Sequence, residues 1–221
     1  MNVMLLVITD GRRSCLERTL ESFALCTSPE TIFQRAIVND CPDPDYASWI
    51  DTLGFDVHVR PSRTKRGFAG AIAAGWAAIA PDATHVFHLE DDFLFTRYVN
   101  IRAMVTVLDQ HPHLAQMALR RQAWSDPEKA AGGVVEQNPD SYTDCTDGTN
   151  SWLEHRLFFT TNPSLYPRRT MNTPWPVVPE SEGRFSRALL ADQTARCGYW
   201  GKRNDDPWVI HLGVTRLGSG Y

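Results

Sequence analysis

The stretch THVFHLEDDFLF, residues 84–95, decides the fold of this chain. It opens with a short apolar run that has one polar break, which is typical of a buried strand in a parallel sheet covered on both faces. Three carboxylates follow directly, Glu90, Asp91 and Asp92, before the sequence turns apolar again. Acids at the carboxyl end of a parallel strand stand where open α/β sheets bind ligands. The stretch therefore predicts an acidic site at a sheet edge; the alternative is a solvated acidic turn.

The three acids also favour a particular kind of ligand. Clustered carboxylate oxygens suit a hard cation such as Mg²⁺ or Mn²⁺. If the strand stays extended through the triplet, Glu90 and Asp92 point to one side and Asp91 to the other. The pattern thus predicts a divalent cation close to the end of this strand.

The composition is that of a soluble globular protein. The chain has 221 residues, 43% of them hydrophobic and 22% charged, which is enough for one large domain or two small ones. Its net charge of −4 gives no general basic footprint for nucleic acid. No apolar run approaches the ~20 residues of a membrane span, and the start does not have the features of a signal peptide. The five cysteines are odd in number and lack a CxxC pair, so we expect reduced thiols and a cytoplasmic location.

The first half of the chain alternates between strand and helix patterns. Strands are predicted at residues 3–9, 36–39, 55–59, 84–89 and 114–119, with helices between them. This alternation is typical of a parallel sheet with helices on both faces. Right-handed crossovers would place Asp10, Asp40 and the acidic triplet on one edge. Ser14, with Glu17 three residues later, predicts a capping box for the first helix.

The second half is less regular. Residues 122–151 are expected to form long loops with room for a hairpin, because they are polar and contain Gly132-Gly133. Residues 157–161 are a candidate strand, residues 184–197 predict a helix, and residues 208–212 predict a last strand. Several tryptophans follow residue 120 and suit either stacking on sugar rings or ordinary core packing: Trp124, Trp152, Trp175, Trp200 and Trp208.

Four segments together resemble a known family. They are Thr9-Asp10-Gly11-Arg12, Asn39-Asp40, Arg66-Gly67-Phe68-Ala69-Gly70 and Glu90-Asp91-Asp92. In this order and spacing they resemble the nucleotide-diphosphosugar glycosyltransferases of the GT-A fold, of the family-2-like kind. The resemblance covers the first half of the chain and extends weakly to residues 179–182 and 211–213.

The resemblance implies an α/β protein of the GT-A (nucleotide-diphospho-sugar transferase) fold. This is a Rossmann-like, mostly parallel sheet with helices on both faces. It further implies a single domain over residues 1–221, in which residues 1–120 bind the nucleotide-sugar and residues 121–221 bind the acceptor.

By resemblance, the first two strand ends bind the nucleotide. Thr9, Asp10 and Arg12 would lie along it, and Asp40 would accept a hydrogen bond from the base, expected to be uracil. Other interpretations stay open for each residue. Asp10 before Gly11 is also a turn signal, Arg12 is also suited to solvent, and Asp40 is also suited to capping the turn at residues 41–45.

A basic loop precedes the third helix. It contains Arg60, Arg63, Lys65 and Arg66. The resemblance places Arg66 and the following Gly67 near the diphosphate, with Lys65 in reserve, although a solvated loop charge is the alternative for Arg66. The chain departs from the family at Ile72-Ala73, where many members carry an Arg-Asn pair, and this puts detailed sugar contacts in doubt.

The acidic triplet is similar to the DxD-type motif of the family. The resemblance places Glu90 near the ribose, with Asp91 beside it, and Asp92 on a Mn²⁺ or Mg²⁺ ion. Asp92 cannot complete an octahedron alone, so phosphates and waters would supply the other ligands. In some relatives a late histidine joins the metal, which makes His211 a candidate ligand, with a satisfied core histidine as the alternative.

An inverting transferase also needs a general base, which should come from the acceptor half. Residues 179–183 offer Glu180 and Glu182 just before a predicted helix, where the family carries its base. Glu182 is the first choice because it is nearer the helix start and is followed by a glycine. The alternatives are plain acids at a helix N-terminus and a retaining mechanism, which requires no such base.

The implied activity is metal-dependent transfer of a sugar from a nucleotide-diphosphate donor, expected to be a UDP-sugar, to an acceptor hydroxyl. The acceptor is open: a protein, a small glycoside or a lipid-linked molecule. One rival is a sugar-phosphate nucleotidyltransferase, but such enzymes typically carry a Gly-rich basic loop after the first strand, where this chain has Asp10-Gly11-Arg12-Arg13. The other rival is a nucleotide-sugar-binding module without turnover.

Overall fold

The computed structural model describes residues 1–61 and 64–215. Its strands are β1 (Val3–Thr9), β2 (Ile32–Asn39), β3 (Val57–Val59), β4 (His85–Glu90), β5 (Phe93–Phe95), β6 (Leu114–Ala118), β7 (Tyr142–Thr146), β8 (Ser151–His155), β9 (Ser164–Pro167), β10 (Arg196–Trp200) and β11 (Val209–His211). Its helices are α1 (Arg13–Cys26), α2 (Pro44–Asp51), α3 (Gly67–Ala77), α4 (Ile101–Gln110), α5 (Asp126–Ala131), α6 (Val134–Gln137) and α7 (Ser181–Leu189). The alternation predicted for the first half is confirmed.

A nine-stranded sheet, formed by the described residues, organises the molecule. Its strand order is β3-β2-β1-β4-β9-β6-β10-β8-β7, and β8 and β9 run against the other strands. The α/β class with a mostly parallel sheet is therefore confirmed. β1 is parallel to both β2 and β4, and Thr9 pairs with Asn39 while Ile8 pairs with Glu90. The residues after these three strands consequently lie along one edge of the sheet, which we call the rim.

Side chains of the central strands alternate between two apolar clusters, one on each face of the sheet. On one face Leu5, Val7 and Phe87 pack with residues of α1 and α4, including Leu16 and Met104. On the other face Leu6 and Val86 pack with residues of α3 and α7, including Ile72 and Phe185. Ile72 is fully buried in this second cluster, so its side chain packs in the core.

The helix predicted over residues 184–197 is wrong at both ends. α7 spans Ser181–Leu189, and Cys197 lies in β10, between β6 and β8. The Asp192 side chain accepts a hydrogen bond from the Thr194 backbone nitrogen at 2.8 Å, and Arg156 donates to the Leu190 carbonyl at 2.8 Å. These contacts favour a turn over further helix, because a side chain competes for the backbone groups.

The strand expected at residues 157–161 is also wrong. The flanking segments form β8 and β9, while the segment itself hydrogen-bonds to side chains. The Phe159 nitrogen donates to the Ser186 hydroxyl at 2.9 Å and the Thr160 nitrogen to Gln116 at 3.0 Å. Residues 122–151, which were expected to form long loops, contain α5, α6 and β7. β7 and β8 form an antiparallel hairpin, which the sequence analysis had allowed for.

The start of α1 differs from the predicted capping box. The helix begins at Arg13, so Ser14 lies inside it, and the Arg12 carbonyl accepts hydrogen bonds from Cys15 and Leu16 at 3.0 and 2.9 Å. Glu17 pairs instead with Arg13, at 3.0 Å. This start places Arg12 on the rim. None of the helices in the described part of the chain has the length and apolar character needed to cross a membrane.

Candidate functional site

The acidic triplet bends instead of staying extended. β4 ends at Glu90, and Asp91 and Asp92 form the turn to β5. The Arg12 guanidinium donates to Asp92 Oδ2 at 2.5 Å and also to Asp91. The alternation expected for an extended triplet is therefore wrong, because Asp91 and Asp92 both point to the guanidinium of Arg12. Glu90 lines a different part of the site, described below.

Asp91 ties the turn to the end of β1. Its Oδ2 accepts hydrogen bonds from the Thr9 hydroxyl at 2.8 Å and from the Asp10 nitrogen at 3.1 Å. The Thr9 hydroxyl also lies 2.5 Å from the Tyr46 hydroxyl. Burial raises the pKa of Asp91, while the charge of Arg12 and these hydrogen bonds act in the opposite direction. Asp91 and Thr9 are both buried, so they hold the rim together.

Asp92 has one engaged oxygen and one free oxygen. Its Oδ2, which contacts Arg12, lies 3.1 Å from Nε2 of His211. Its Oδ1 is buried and has no hydrogen-bond partner among the described residues. Burial acts to raise the pKa of Asp92, but the hydrogen bond from His211 and the charges of His211 and Arg12 outweigh it, so the pKa is lowered. Asp92 is thus an ionised carboxylate with unused bonding capacity.

His211 comes to this carboxylate from the far end of the chain. β11 pairs with β5 so that His211 faces Phe93, and the two rings stack with centroids 4.6 Å apart. The Trp124 ring stacks on His211 at 4.4 Å. The Gln122 side chain accepts a hydrogen bond from the His211 nitrogen at 2.9 Å and donates to its carbonyl at 3.1 Å.

Neither the role of Gln122 nor the contact of Trp124 with His211 could be predicted from the sequence, since both residues lie in a segment expected to be loop. The other late tryptophans are buried, and at most 8% of each is exposed: Trp152, Trp175, Trp200 and Trp208. Ordinary packing therefore accounts for these four. Trp124 lines the site, but its ring contacts the histidine.

The resemblance seen in the sequence implies a metal at this place, and the positions of Asp92 and His211 fit one. The free Asp92 Oδ1 is an available ligand. A Cβ at Gly213 would lie 2.9 Å from His211 Nε2 and closer still to Asp92 Oδ2, so this glycine leaves space beside both atoms.

The protein alone would leave such an ion incompletely coordinated. Within residues 1–61 and 64–215, no group of three or more His, Cys, Asp or Glu side chains is arranged to hold a metal. Asp92 and His211 would hold a cation only together with ligands from outside the chain.

Lys65 and Arg66 of the basic loop contact the rim from the other side. Lys65 forms an ion pair with Asp10. Asp40 accepts hydrogen bonds from the backbone nitrogens of Arg66 and Gly67 at 2.6 and 2.9 Å. Asp40 therefore binds the start of α3 and does not cap the turn after β2, where Asn39 accepts from the Cys41 nitrogen at 2.8 Å. Arg63 lies outside the described residues.

Glu90 and Glu182 line a cavity of about 350 Å³ next to the rim. Glu182 lies in the first turn of α7, and its Oε1 accepts hydrogen bonds from the nitrogen and hydroxyl of Thr161 at 2.7 and 3.3 Å. Burial raises the pKa of Glu182. Burial and the charge of Asp92 raise the pKa of Glu90 well above its ordinary value. Trp124 and His211 line the same cavity, so it adjoins the candidate cation site.

Glu180 is placed differently. It is exposed, lies just before α7 and has a left-handed backbone with φ of 57°. It lines a neighbouring groove of about 600 Å³ together with Phe68, Val177 and Val178. The structure thus brings Glu182, and not Glu180, into the cavity with Glu90 and His211.

Comparison with solved structures identifies the fold. No protein-family model and no curated protein sequence matches the chain. The solved structure of S. aureus TarS in complex with UDP-GlcNAc is similar over 100% of this chain, with a TM-score of 0.65 and 14% identity. GalNAc-T7 with UDP, GalNAc and Mn²⁺ is similar over 96% of the chain, with a TM-score of 0.64 and 10% identity. The mannosyltransferase PcManGT from Pyrobaculum calidifontis, in complex with GDP-Man and Mn²⁺, is similar over 97%, with a TM-score of 0.62 and 13% identity.

These three proteins are glycosyltransferases of the GT-A fold, and the chain therefore has this fold, as its sequence predicted. The chain spans only part of each of them: 60% of the TarS chain, 44% of GalNAc-T7 and 58% of PcManGT.

Proposed function

We propose that the chain is a metal-dependent glycosyltransferase. It transfers a sugar from a nucleotide-diphosphate donor, a UDP-sugar, to an acceptor hydroxyl with inversion at the anomeric carbon. The observation that carries the proposal is Asp92, which lies in the turn directly after buried strand β4 and has a free Oδ1 and an Oδ2 3.1 Å from Nε2 of His211. The similar structures support the proposal, because they hold UDP-GlcNAc, UDP with Mn²⁺, or GDP-Man with Mn²⁺.

In this proposal Asp92 and His211 hold Mn²⁺ or Mg²⁺ together with the donor diphosphate and water. When bound there, such an ion would supply Lewis-acid stabilisation of the negative charge on the leaving diphosphate. Gly213 keeps the space beside both protein ligands open.

The rim binds the rest of the donor. Asp10 faces the nucleotide, while the buried Thr9 and Asp40 support this edge from within. Asp40 fixes the start of α3 through its bonds to Arg66 and Gly67. Arg12 and Arg66 supply positive charge to the diphosphate, which stabilises it most in a closed site with little water. Arg12 is ion-paired with Asp91 and Asp92 in this structure, so it would share Asp92 with the ion.

Glu182 is the proposed general base. The acceptor oxygen attacks the anomeric carbon, its proton passes to the Glu182 carboxylate, and the bond to the diphosphate oxygen breaks with its electron pair going to the diphosphate. Thr161 fixes the carboxylate, and a raised pKa suits a group that must take up a proton. The positive end of α7 helps to keep it ionised before the reaction.

A thermal-shift screen of nucleotide-sugars, with and without Mn²⁺, tests the proposal. A ligand at 100 times its Kd stabilises a protein by about 2.7 kcal/mol, so the correct donor should raise the Tm, and more so with Mn²⁺. The donor that is found is then incubated with mixtures of protein, glycoside and lipid-linked acceptors.

Release of the nucleoside diphosphate together with glycosylated acceptor supports transfer. Release of pyrophosphate from a nucleoside triphosphate and a sugar phosphate would instead identify a nucleotidyltransferase. Tight binding of UDP with Mn²⁺, but neither hydrolysis nor transfer, would identify a binding module without turnover.

A further inference from the structure

The backbone of His211 is held on two edges. On one edge it pairs with Phe93 of β5. On the other edge the Gln122 amide acts as a strand would, since its oxygen accepts from the His211 nitrogen at 2.9 Å and its nitrogen donates to the His211 carbonyl at 3.1 Å. A primary amide is suited to this task because it presents one acceptor and one donor side by side.

The imidazole ring is also held on two faces. Phe93 stacks on it at 4.6 Å with an interplanar angle of 10°, and Trp124 at 4.4 Å with an angle of 23°. The ring plane is thereby fixed with Nε2 towards Asp92. Gln122 and Trp124 belong to the same segment, and the adjacent Arg121 bridges to Val209, two residues before the histidine. One short segment therefore fixes both the backbone and the ring of His211.

We propose that Gln122 is a positioning residue for the cation site. It fixes the backbone of His211 so that Nε2 lies beside Asp92 before the donor binds, and Trp124 fixes the plane of the ring. This inference rests on the proposed function, because it takes Asp92 and His211 as the protein ligands of the ion. Groups that orient a metal ligand commonly change metal affinity by 10- to 100-fold when they are replaced.

The test is calorimetric titration of Mn²⁺ into the UDP complex of Gln122→Met, which keeps the side-chain length and removes both hydrogen bonds. We expect at least a tenfold loss of Mn²⁺ affinity, with the affinity for UDP in the absence of metal unchanged. The matched control is Gln193→Ala, an exposed glutamine in the loop before β10, which should bind Mn²⁺ as the wild type does.

Repeating the measurement in a His211→Ala protein distinguishes a positioning role of Gln122 from general damage to the fold. If Gln122 acts through His211, Gln122→Met should cause no further loss of Mn²⁺ affinity in a His211→Ala protein, because coupled residues are not additive. An equal loss in both backgrounds would overturn the inference in favour of a merely structural role. Trp124→Phe, which keeps a ring on the histidine, should retain more affinity than Trp124→Ala.

The remaining outcomes are also decisive. Mn²⁺ binding that is unchanged in Gln122→Met, in a wild-type protein that binds Mn²⁺ with UDP, overturns the inference and leaves the proposed function intact. A wild-type UDP complex that binds no Mn²⁺ overturns the proposed metal use, and this inference with it. If Gln122→Met does not fold, the Mn²⁺ affinity of Gln122→Ala is measured in its place, together with that of Trp124→Phe and Trp124→Ala.

Discussion

Glu182 and Glu180 are close in sequence but differ in their surroundings. Glu182 is fixed by Thr161 inside the cavity, whereas Glu180 is exposed on the neighbouring groove. We predict that Glu182→Gln lowers the rate of transfer at saturating donor by about 10²–10⁴, the usual contribution of a general base, with donor affinity retained. Glu180→Gln is the matched control and should react within a few-fold of the wild type. An unchanged rate in Glu182→Gln, or NMR of the product showing retention, would contradict this assignment.

The same carboxylate predicts a pH dependence of the rate. A general base must be ionised to take up a proton, so the rate falls as the pH drops through its pKa. Because burial raises the pKa of Glu182, the acid limb of the kcat profile should lie above the pH at which a free glutamate titrates, near 4.3. A rate that stays constant down to that pH would argue against Glu182 as the base.

Gly213 gives a steric test of the cation site. A Cβ there would crowd Asp92 Oδ2 and His211 Nε2. We predict that Gly213→Ala loses most of the Mn²⁺-dependent increase in UDP affinity, while UDP binding without metal, measured on the same protein, is retained. Undiminished Mn²⁺ dependence in Gly213→Ala would show that the ion binds elsewhere.

At the scale of elements, the strands and helices of the first half follow from hydrophobic patterning, although the capping box predicted at Ser14 does not form. β9 does not follow from such patterning, although it lies between β4 and β6 in the middle of the sheet. Its four residues follow Asn162-Pro163 and end in Pro167, which are signals of a turn, and its pairing on both sides depends on distant strands. The end of α7 could not be predicted from the sequence either, because it depends on hydrogen bonds from Arg156 to carbonyl groups that are distant in the sequence.

β4 carries a buried histidine that predicts acid sensitivity. His88 is only 2% exposed, and burial lowers its pKa to about 4. An unfolded histidine titrates near 6.5, so the unfolded state binds the proton first, and stability is lost as the pH falls from about 6.5 to about 4. The shift corresponds to roughly 3 kcal/mol.

His88→Gln should therefore unfold at a lower pH than the wild type in an acid titration followed by circular dichroism. His111→Gln, at a partly exposed position after α4, is the control and should behave as the wild type. Identical acid midpoints for His88→Gln and the wild type would show that this histidine does not govern the transition.

At the scale of the whole molecule, the rim was predictable because its residues follow consecutive parallel strands. The contact between Asp92 and His211 joins residues 119 positions apart, so local sequence patterns could not predict it. The contact between Gln122 and His211 could not be predicted either, because the segment around Gln122 was expected to be loop. His211 lies in the half expected to bind the acceptor but reaches the rim. The division into a nucleotide-sugar-binding half and an acceptor-binding half at residue 120 stays a prediction, as does the cytoplasmic location. The five cysteines are free thiols, including the buried Cys197.

In the proposed function, a nucleotide diphosphate binds at the rim through a cation on Asp92. The most direct measurement is calorimetric titration of UDP with and without Mn²⁺ into the wild type, Asp92→Asn and the exposed control Asp140→Asn. We predict that Mn²⁺ strengthens UDP binding in the wild type and in Asp140→Asn but has no effect in Asp92→Asn, whose fold by circular dichroism is unchanged. Equal strengthening by Mn²⁺ in Asp92→Asn and the wild type would contradict the claim.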